Sequence, residues 1–462
     1  MGDSQRVVRI LGAGLAGSEA ALQLADRGIR VELVEMRPEV GTAVHKTGNA
    51  AELVCSNSLK STNPDSAAGM LKAELFALGS HLIDAAMRNR VAAGGALAVD
   101  RDAFSGEVTA RLCAHPCIEI SRRLARSLDE EAVGVDALIV ATGPLTEGDL
   151  AQSLCGATGS DNLAFFDAAA PVVMAESLDR EKLFSQSRYE EGAGDYLNAP
   201  FSKEEYEAFA QELVGAERVI KREFESKDLF QACQSIEEIA RTGIDAPRFG
   251  ALKPVGLTDP RTGRRPWAAL QLRAEDAHGE SYNLVGFQTN LTFPEQRRVF
   301  RMIPGLESAE FARYGVMHRN TFINAPSLLD SNLRFRPEIE ARWGVPVHAA
   351  GQLAGTEGYC EAIRSGLHAS LAVVAELSGE KPLPLSEDTA FGALMGYATD
   401  PQTTGYQPMH VNFGIMRPLD ERIRNKRERY AAYARRGSEA LAGYCGQLRQ
   451  RGLLPSEEGG ER

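Results

Sequence analysis

The sequence predicts an α/β protein built on a Rossmann-type nucleotide-binding domain that is discontinuous in the chain and carries an inserted α+β domain. Three observations predict it. Residues 7–35 read as a complete βαβ unit around a Gly-x-Gly-x-x-Gly run. The chain returns to a strand followed by glycines at 345–358. Between these lies a stretch that is more charged and reads as more helical. A chain of 462 residues is too long for one core. The expected division is 1–180 with 326–462 for the nucleotide-binding domain, and 181–325 for an insertion facing the substrate.

The elements follow in order. Val7 to Leu11 is a short, β-branched apolar run, as in a buried parallel strand. Gly12-Ala-Gly14-Leu15-Ala16-Gly17 comes next, then a helix over Ser18 to Gly28 with Ala20, Ala21, Leu24 and Ala25 on one face. Ile29 to Val34 is the second strand, with Glu35 at its C-terminal end. In this context the glycines have distinct tasks. Gly12 permits the tight turn, Gly14 lets the backbone approach a pyrophosphate, and Gly17 lets the helix pack closely. The N–H groups of the helix N-terminus hold the phosphates, and Glu35 accepts hydrogen bonds from ribose hydroxyls. A loop-rich stretch over 37–65 precedes a helix over Ala67 to Arg88. The strand Ala132 to Gly143 ends in Ala-Thr-Gly, which resembles the second glycine motif of many flavoproteins. A helix is expected over Lys203 to Leu213 and a basic turn over Asp259 to Trp267. Val345 to Ala354 leads into Gly355-Thr-Glu357-Gly358-Tyr359, and Glu361 to Ala375 reads as helix. The tail Arg417 to Arg436 is basic and helical, and Pro455 to Arg462 is polar.

Composition narrows the class. Hydrophobic residues make up 44% and charged residues 25%, as in a soluble globular protein, and no apolar run approaches a membrane span. No signal-peptide pattern precedes the first strand, so the expected location is cytoplasmic. Seven cysteines, an odd number at wide spacing, argue against a disulfide framework. Cys113 and Cys117 lack partners at zinc spacing, and no metal site is expected. The net charge of −12 weighs against nucleic acid as a partner when taken alone.

Its distribution weighs the other way. Arg261, Arg264 and Arg265 sit beside Trp267, and Arg297, Arg298 and Arg301 share one side of a helix. The tail holds Arg417, Arg422, Arg424, Lys426, Arg427, Arg429, Arg435 and Arg436, interleaved with Tyr430 and Tyr433. Such patches suit phosphates, or a solvated helix face paired with Asp420, Glu421 and Glu428. Two cysteines stand in polar settings: Cys55 in Glu52-Leu-Val-Cys55-Ser-Asn57-Ser-Leu-Lys60, and Cys233 in Phe230-Gln-Ala-Cys233-Gln-Ser-Ile-Glu237. Each is either a small buried residue or a reactive thiol. His45, His318 and His410 are scattered and read as structural.

Longer runs are more specific. Besides the glycine run and the Cys55 segment they are Ala93-Gly-Gly-Ala-Leu-Ala-Val-Asp100-Arg101, Leu252-Lys-Pro-Val-Gly-Leu257, Tyr282-Asn-Leu-Val-Gly-Phe-Gln-Thr-Asn290 and Arg301-Met-Ile-Pro-Gly305. Tyr314-Gly-Val-Met-His318-Arg-Asn320-Thr-Phe-Ile-Asn324 and Gly351-Gln352-Leu-Ala-Gly355-Thr-Glu357-Gly358-Tyr359 complete the set. Together they resemble, in order and over nearly the whole chain, the folate- and FAD-dependent tRNA (uracil-5-)-methyltransferases (TrmFO), within the tRNA-modifying FAD-binding flavoproteins. The relatives that modify the wobble uridine are considerably longer. One departure stands out. The family usually reads Gly-Cys-Met/Leu-Pro-Ile-Glu around its second cysteine, whereas this chain reads Ala232-Cys233-Gln234-Ser235-Ile236-Glu237, without the proline.

The resemblance implies an FAD-binding domain and C5-methylation of the T-loop uridine at position 54 of tRNA, giving 5-methyluridine. It implies 5,10-methylenetetrahydrofolate as one-carbon donor and NAD(P)H as reductant of the flavin. Cys233 is then the nucleophile at uracil C6 and Cys55 the group that removes the C5 proton. Tyr359 is expected near the flavin, stacked on it or on folate or else part of the core, with Glu357 orienting either ligand. Gly12, Gly14, Leu15, Ala16, Gly17, Glu35, Gly351, Gln352, Gly355 and Gly358 are the expected cofactor-binding residues. Alternatives are the same chemistry on ribosomal RNA, or a small-molecule FAD-dependent NAD(P)H oxidoreductase.

Overall fold

A computed structural model describes residues 6–42, 44–159, 163–168, 170–190, 192, 194–219, 234–315, 317–403 and 406–455. The chain opens with β1 (Val7–Leu11), α1 (Leu15–Ala25) and β2 (Arg30–Glu35). It continues through β3 (Ser58–Ser61), α2 (Ala67–Ala77), α3 (His81–Arg88), β4 (Arg90–Val91), β5 (Ala96–Val99) and α4 (Arg101–Ala114). After β6 (Ile118–Arg122), α5 (Leu128–Glu131), β7 (Ala137–Val140) and α6 (Gly148–Thr158) it reaches β8 (Leu163–Ala168). The middle of the chain supplies β9 (Val172–Met174), β10 (Phe184–Ser185), β11 (Tyr196–Phe201), α7 (Lys203–Gly215), α8 (Ile236–Thr242), β12 (Ala268–Ala274), β13 (Ser281–Leu284), α9 (Phe293–Phe300) and β14 (Phe311–Arg313). It returns through β15 (Met317–Phe322), α10 (Ala325–Leu328), α11 (Pro337–Glu340) and β16 (Val347–Ala349), and ends with α12 (Tyr359–Leu377), α13 (Ala390–Thr399) and α14 (Lys426–Gln450).

The order β16-β7-β1-β2-β6 forms a five-stranded parallel sheet. Parallel strands are buried on both faces, and Val8, Ile10, Leu33, Ile139 and Ala349 are fully buried. α12 covers α1 at very close range: a Cβ on Gly366 would overlap the carbonyl of Ala16. The sheet therefore takes its fifth strand and its covering helix from the C-terminal third of the chain. The middle segment builds a separate antiparallel sheet in the order β10-β11-β12-β13-β9-β14. Its own core includes Phe201, Phe209, Leu270, Phe287 and Phe300, with ring centroids 6.1 Å apart for Phe209–Phe287 and 5.4 Å for Phe287–Phe300. The antiparallel ribbon β8–β15 joins the two halves, and β3-β5-β4 forms a small separate sheet.

Three elements differ from expectation. Ala67 to Arg88 is two helices, because Gly79 turns at φ +70° and Ser80 caps α3 by accepting from Ile83 N at 3.3 Å. The middle region is built on six strands rather than mainly on helices; β12 is buried along nearly its whole length, so it shows no amphipathic period to read. In the tail, Arg417 to Asn425 is irregular, and the helix starts only where the Asn425 side chain accepts from Arg427 N and Glu428 N.

One buried group makes stability pH-dependent. Burial, then the like charge of Arg364, lowers the pKa of His368 to about 3, and its Nε2–H donates to Ser331 O at 2.9 Å. In the unfolded chain the imidazole binds a proton below ~6.5. At this residue the unfolded state therefore holds more protons between pH 3 and 6.5, and its contribution to stability rises with pH across that window and levels above it. Urea titrations should show a slope of up to ~1.4 kcal/mol per pH unit from this residue, and His368→Asn should remove that component.

Candidate active site

The glycine loop is shaped by backbone constraints. Gly12 sits at φ +97°, and a Cβ there would lie 2.6 Å from Ala141 O; its N–H donates to Val34 O at 2.7 Å. A Cβ on Gly17 would overlap Gly12 O, so α1 closes directly onto the turn. A Cβ on Gly14 would meet no protein atom within 4 Å. Gly14 is the N-cap of α1 and offers no side-chain cap, so the first N–H groups of Leu15, Ala16 and Gly17 face an open cradle suited to an anion.

Glu35 lies where the fingerprint requires it, and it is already engaged. Its carboxylate accepts from Ala13 N at 2.8 Å and from Arg37 N and Nε at 2.9 and 2.8 Å. Burial opposes ionisation, but the Arg37 hydrogen bonds and charge outweigh it and hold the pKa below the ordinary value. A carboxylate has about four acceptor positions, and three are used. Arg37 also reaches Glu52 at 3.3 Å, and Glu52 accepts from Lys46 N and Thr47 N. The acid thus ties the glycine loop to the stretch leading into Cys55.

The second glycine segment converges on the first. Ala350 N donates to Val140 O, Gly351 N donates to Ser365 Oγ at 2.7 Å, and a Cβ on Gly351 would sit 3.2 Å from that of Ala16. Gly355 turns at φ +81° against Tyr406 and Gly358 at φ +112° against Glu361. The Gln352 side chain donates to Glu357, and Glu357 N donates to Met409 O at 3.0 Å. Two polar side chains here are fully or almost fully buried and have no hydrogen-bond partner in the structure: Thr356 Oγ1, and both amide atoms of Asn320. Asn320 precedes Thr321, whose N–H donates to Pro144 O at 2.6 Å after the second glycine motif. Orphaned buried polar atoms of this kind fit a bound polar ligand.

The Cys55 turn adjoins this cradle. Ala51 N donates to Ala13 O at 2.8 Å. Tyr359, the first residue of α12, accepts from Cys55 N at 2.9 Å and Ser56 N at 3.0 Å through its hydroxyl. Burial, then the nearby Cys55, raises the Tyr359 pKa, so the phenol keeps its proton. Arg101 donates to Leu53 O at 3.0 Å, and Arg313 to Val54 O and Cys55 O at 3.2 and 3.4 Å. Asn57 donates to Val99 O and Ala274 O and accepts from Arg273 Nε at 2.8 Å. Glu275 pairs with Arg101 at 2.6 Å. Burial, then repulsion from Arg101, lowers the Arg313 pKa. The turn bearing Cys55 is therefore held from both halves of the chain, with Arg101 and Arg313 beside it.

Cys233 lies outside the described residues. The segment after it is anchored: Ser235 is fully buried, Ile236 N donates to Gln288 O at 2.8 Å, and Glu237 accepts from Asn290 N and Thr289 Oγ1 at 2.7 and 3.0 Å. Burial raises the Glu237 pKa. Sequence reasoning quoted Arg101 and Asn57 only within motifs and missed Arg313, Arg273 and Arg37. No group of three or more metal-ligating side chains occurs among the described residues, and no helix among them is long and apolar enough to cross a membrane.

The parallel sheet, the two glycine turns and the terminal acid define a Rossmann-type FAD-binding fold. The Aquifex aeolicus GidA structure (form II crystal) superposes with a TM-score of 0.67 at 16% identity, covering 98% of this chain and 74% of that one. Residues 7–381 match the family described as "Glucose inhibited division protein A", and the chain belongs to that family. It is 50% identical over 434 residues to the Heliobacterium modesticaldum protein named methylenetetrahydrofolate–tRNA-(uracil-5-)-methyltransferase TrmFO, covering 94% of this chain and 97% of that one. It is 51% identical over 436 residues to the Carboxydothermus hydrogenoformans protein of the same name, covering 94% and 98%.

Replacing Tyr359 by Phe should leave the amides of Cys55 and Ser56 without their acceptor. The expected cost is about 1–3 kcal/mol, read as a lower denaturation midpoint together with faster hydrogen exchange at those two amides. Exchange at wild-type rates would contradict the assigned bonds.

Proposed function

We propose that this protein methylates C5 of a uridine in tRNA, using 5,10-methylenetetrahydrofolate as carbon donor and FAD as cofactor. The observation that carries the reading is the placement of the Cys55 turn against an FAD-type cradle, in a chain 50% identical over 94% of its length to a protein carrying that activity in its name. The two cores, one drawing on β1 to α6 with β15 to α13 and the other on β9 to β14, support a discontinuous domain and an insertion that faces RNA, but they move β9 (Val172–Met174) out of the 1–180 part and β15 (Met317–Phe322) out of the 181–325 insertion. The substrate class favours a cytoplasmic setting.

The described residues fit the cofactor. Gly12, Gly14, Leu15, Ala16 and Gly17 take the pyrophosphate on the open N-terminus of α1. Glu35 keeps an acceptor position for a ribose hydroxyl, and the Gly351–Gly358 segment with Gln352 and Gly355 closes the other side. FAD, reduced by NAD(P)H, supplies the electrons that turn the transferred one-carbon unit into a methyl group. Glu357, fixed by Gln352, orients folate or flavin.

The chain's own chemistry falls to two thiols. Cys233 as thiolate adds to uracil C6, which makes C5 nucleophilic. Cys55 removes the C5 proton once the carbon is attached, and elimination of Cys233 restores the aromatic ring. Arg313 and Arg101 hold the Cys55 turn, and Tyr359 fixes its backbone. The uridine must leave its stack to reach these groups, and the T-loop uridine of the T-arm is the target.

Transfer of labelled methylene from methylenetetrahydrofolate to unmodified tRNA, with NADPH present and the product mapped, tests the reading. Label in 5-methyluridine of the T-loop is expected, and flavin-bound, NADPH-reducible protein that leaves tRNA unlabelled would overturn it. Cys233→Ala should lose methyl transfer while keeping FAD; normal turnover would remove Cys233 from the mechanism. Gly14→Val should fold yet purify without flavin, since its branched side chain would occupy the cradle.

A further inference from the structure

The inserted domain displays an aromatic and basic face that the chemistry above does not use. Residues 241–266 hold Arg241, Arg248, Lys253, Arg261, Arg264 and Arg265 against only Asp245 and Asp259, an excess of four positive charges in a chain of net charge −12. Asp259 is occupied by Arg261 at 2.9 Å, and Arg248 lies 3.8 Å over the Trp267 ring. Arg264 and Arg265 are exposed, with no side-chain ion pair to another described residue. In the same segment Phe249 is 83% exposed, and Tyr189, whose ring lies against Gly256, is 71% exposed. Tyr189 holds a left-handed φ of +66°, and its N–H donates to Gly256 O at 3.0 Å. Neither ring stacks on another described ring.

The tail keeps Arg422, Arg424, Arg427 and Arg435 exposed, but its rings are already packed. Tyr430 and Tyr433 pack on Phe413 at 4.2 and 5.1 Å, and Arg417 and Arg436 pair with Asp388. Arg298 pairs with Glu212 and Glu295, Arg297 donates to Tyr314, and Arg301 donates to Ala309 O. The face around Phe249 also follows the Cys233 segment closely in the chain. It follows α8, which is anchored through Ile236 and Glu237 immediately after the Cys233 segment.

We infer that this face docks unpaired nucleotides of the RNA substrate, Phe249 and Tyr189 stacking on bases while Arg264 and Arg265 meet the backbone phosphates. Exposed rings beside unpaired cations are the combination that single-stranded RNA uses, every base having a stacking face and every linkage a charge. The inference rests on the tRNA reading above.

The test is a titration of flavin-loaded full-length protein with unmodified tRNA at several salt concentrations. Phe249→Ala should weaken binding at least about fivefold, as expected for one lost base stack, with the salt dependence unchanged. Arg264→Gln with Arg265→Gln should weaken binding and lower the slope of log K against log salt by about two. Flavin content and NADPH oxidation should stay at wild-type levels in both. Variants that bind tRNA as tightly as a tRNA-binding wild type would overturn this proposal alone. So would a Phe249→Ala protein whose only change is dissociation of a dimer, which would assign the face to a second copy. A wild type without tRNA affinity would overturn the functional reading, and this proposal with it.

Discussion

The structure depends most on the clasp around residues 53–57. This turn has no regular structure, yet it is pinned from four directions: its backbone by Tyr359 at the start of α12, by Arg101 at the start of α4 and by Arg313 on β14, and its Asn57 side chain by Arg273 on β12. Two of the four come from the sheet of the middle segment. Buried or half-buried hydrogen bonds to charged donors are among the stronger ones, and here they converge on one turn. The thiol of Cys55 is thereby placed at the seam between the halves, one hydrogen bond from the glycine loop through Ala51 and Ala13.

The cradle is built on the same economy. The Arg37–Glu35 pair is almost fully buried, and such pairs cost desolvation that only good geometry offsets. Here the carboxylate binds Ala13 N and both the backbone and the guanidinium of Arg37, so it stays ionised. It orders the glycine loop before any nucleotide arrives and leaves one acceptor position spare. The close approach of Gly366 to Ala16 locks α12 onto α1, which fixes Tyr359 and the Gly351–Gly358 turn relative to the phosphate site.

Legibility in the sequence followed the range of the constraint. The glycine run could be read because its requirements are local: a left-handed φ at Gly12 and no room for a Cβ at Gly17. The break between α2 and α3 was also written locally, as Gly79-Ser80 within an apolar stretch that looked continuous. Arg313 could not be read, since 258 residues separate it from Cys55 and nothing in its neighbourhood marks it as a contact. The packing of the tail tyrosines could not be read because their partner, Phe413, lies on a different segment. The roles of Cys55 and Cys233 came from the family resemblance rather than from residue chemistry, and Cys233 falls outside the described residues.

Single-turnover transfer of labelled methylene to tRNA by Arg313→Gln protein, saturated with tRNA and loaded with flavin, tests the cross-domain clasp most directly. Loss of a charged, half-buried donor to the Cys55 turn predicts a rate lower by about tenfold or more, with flavin content and tRNA affinity unchanged. A wild-type rate would show that the turn holds Cys55 without the middle segment and would contradict the account.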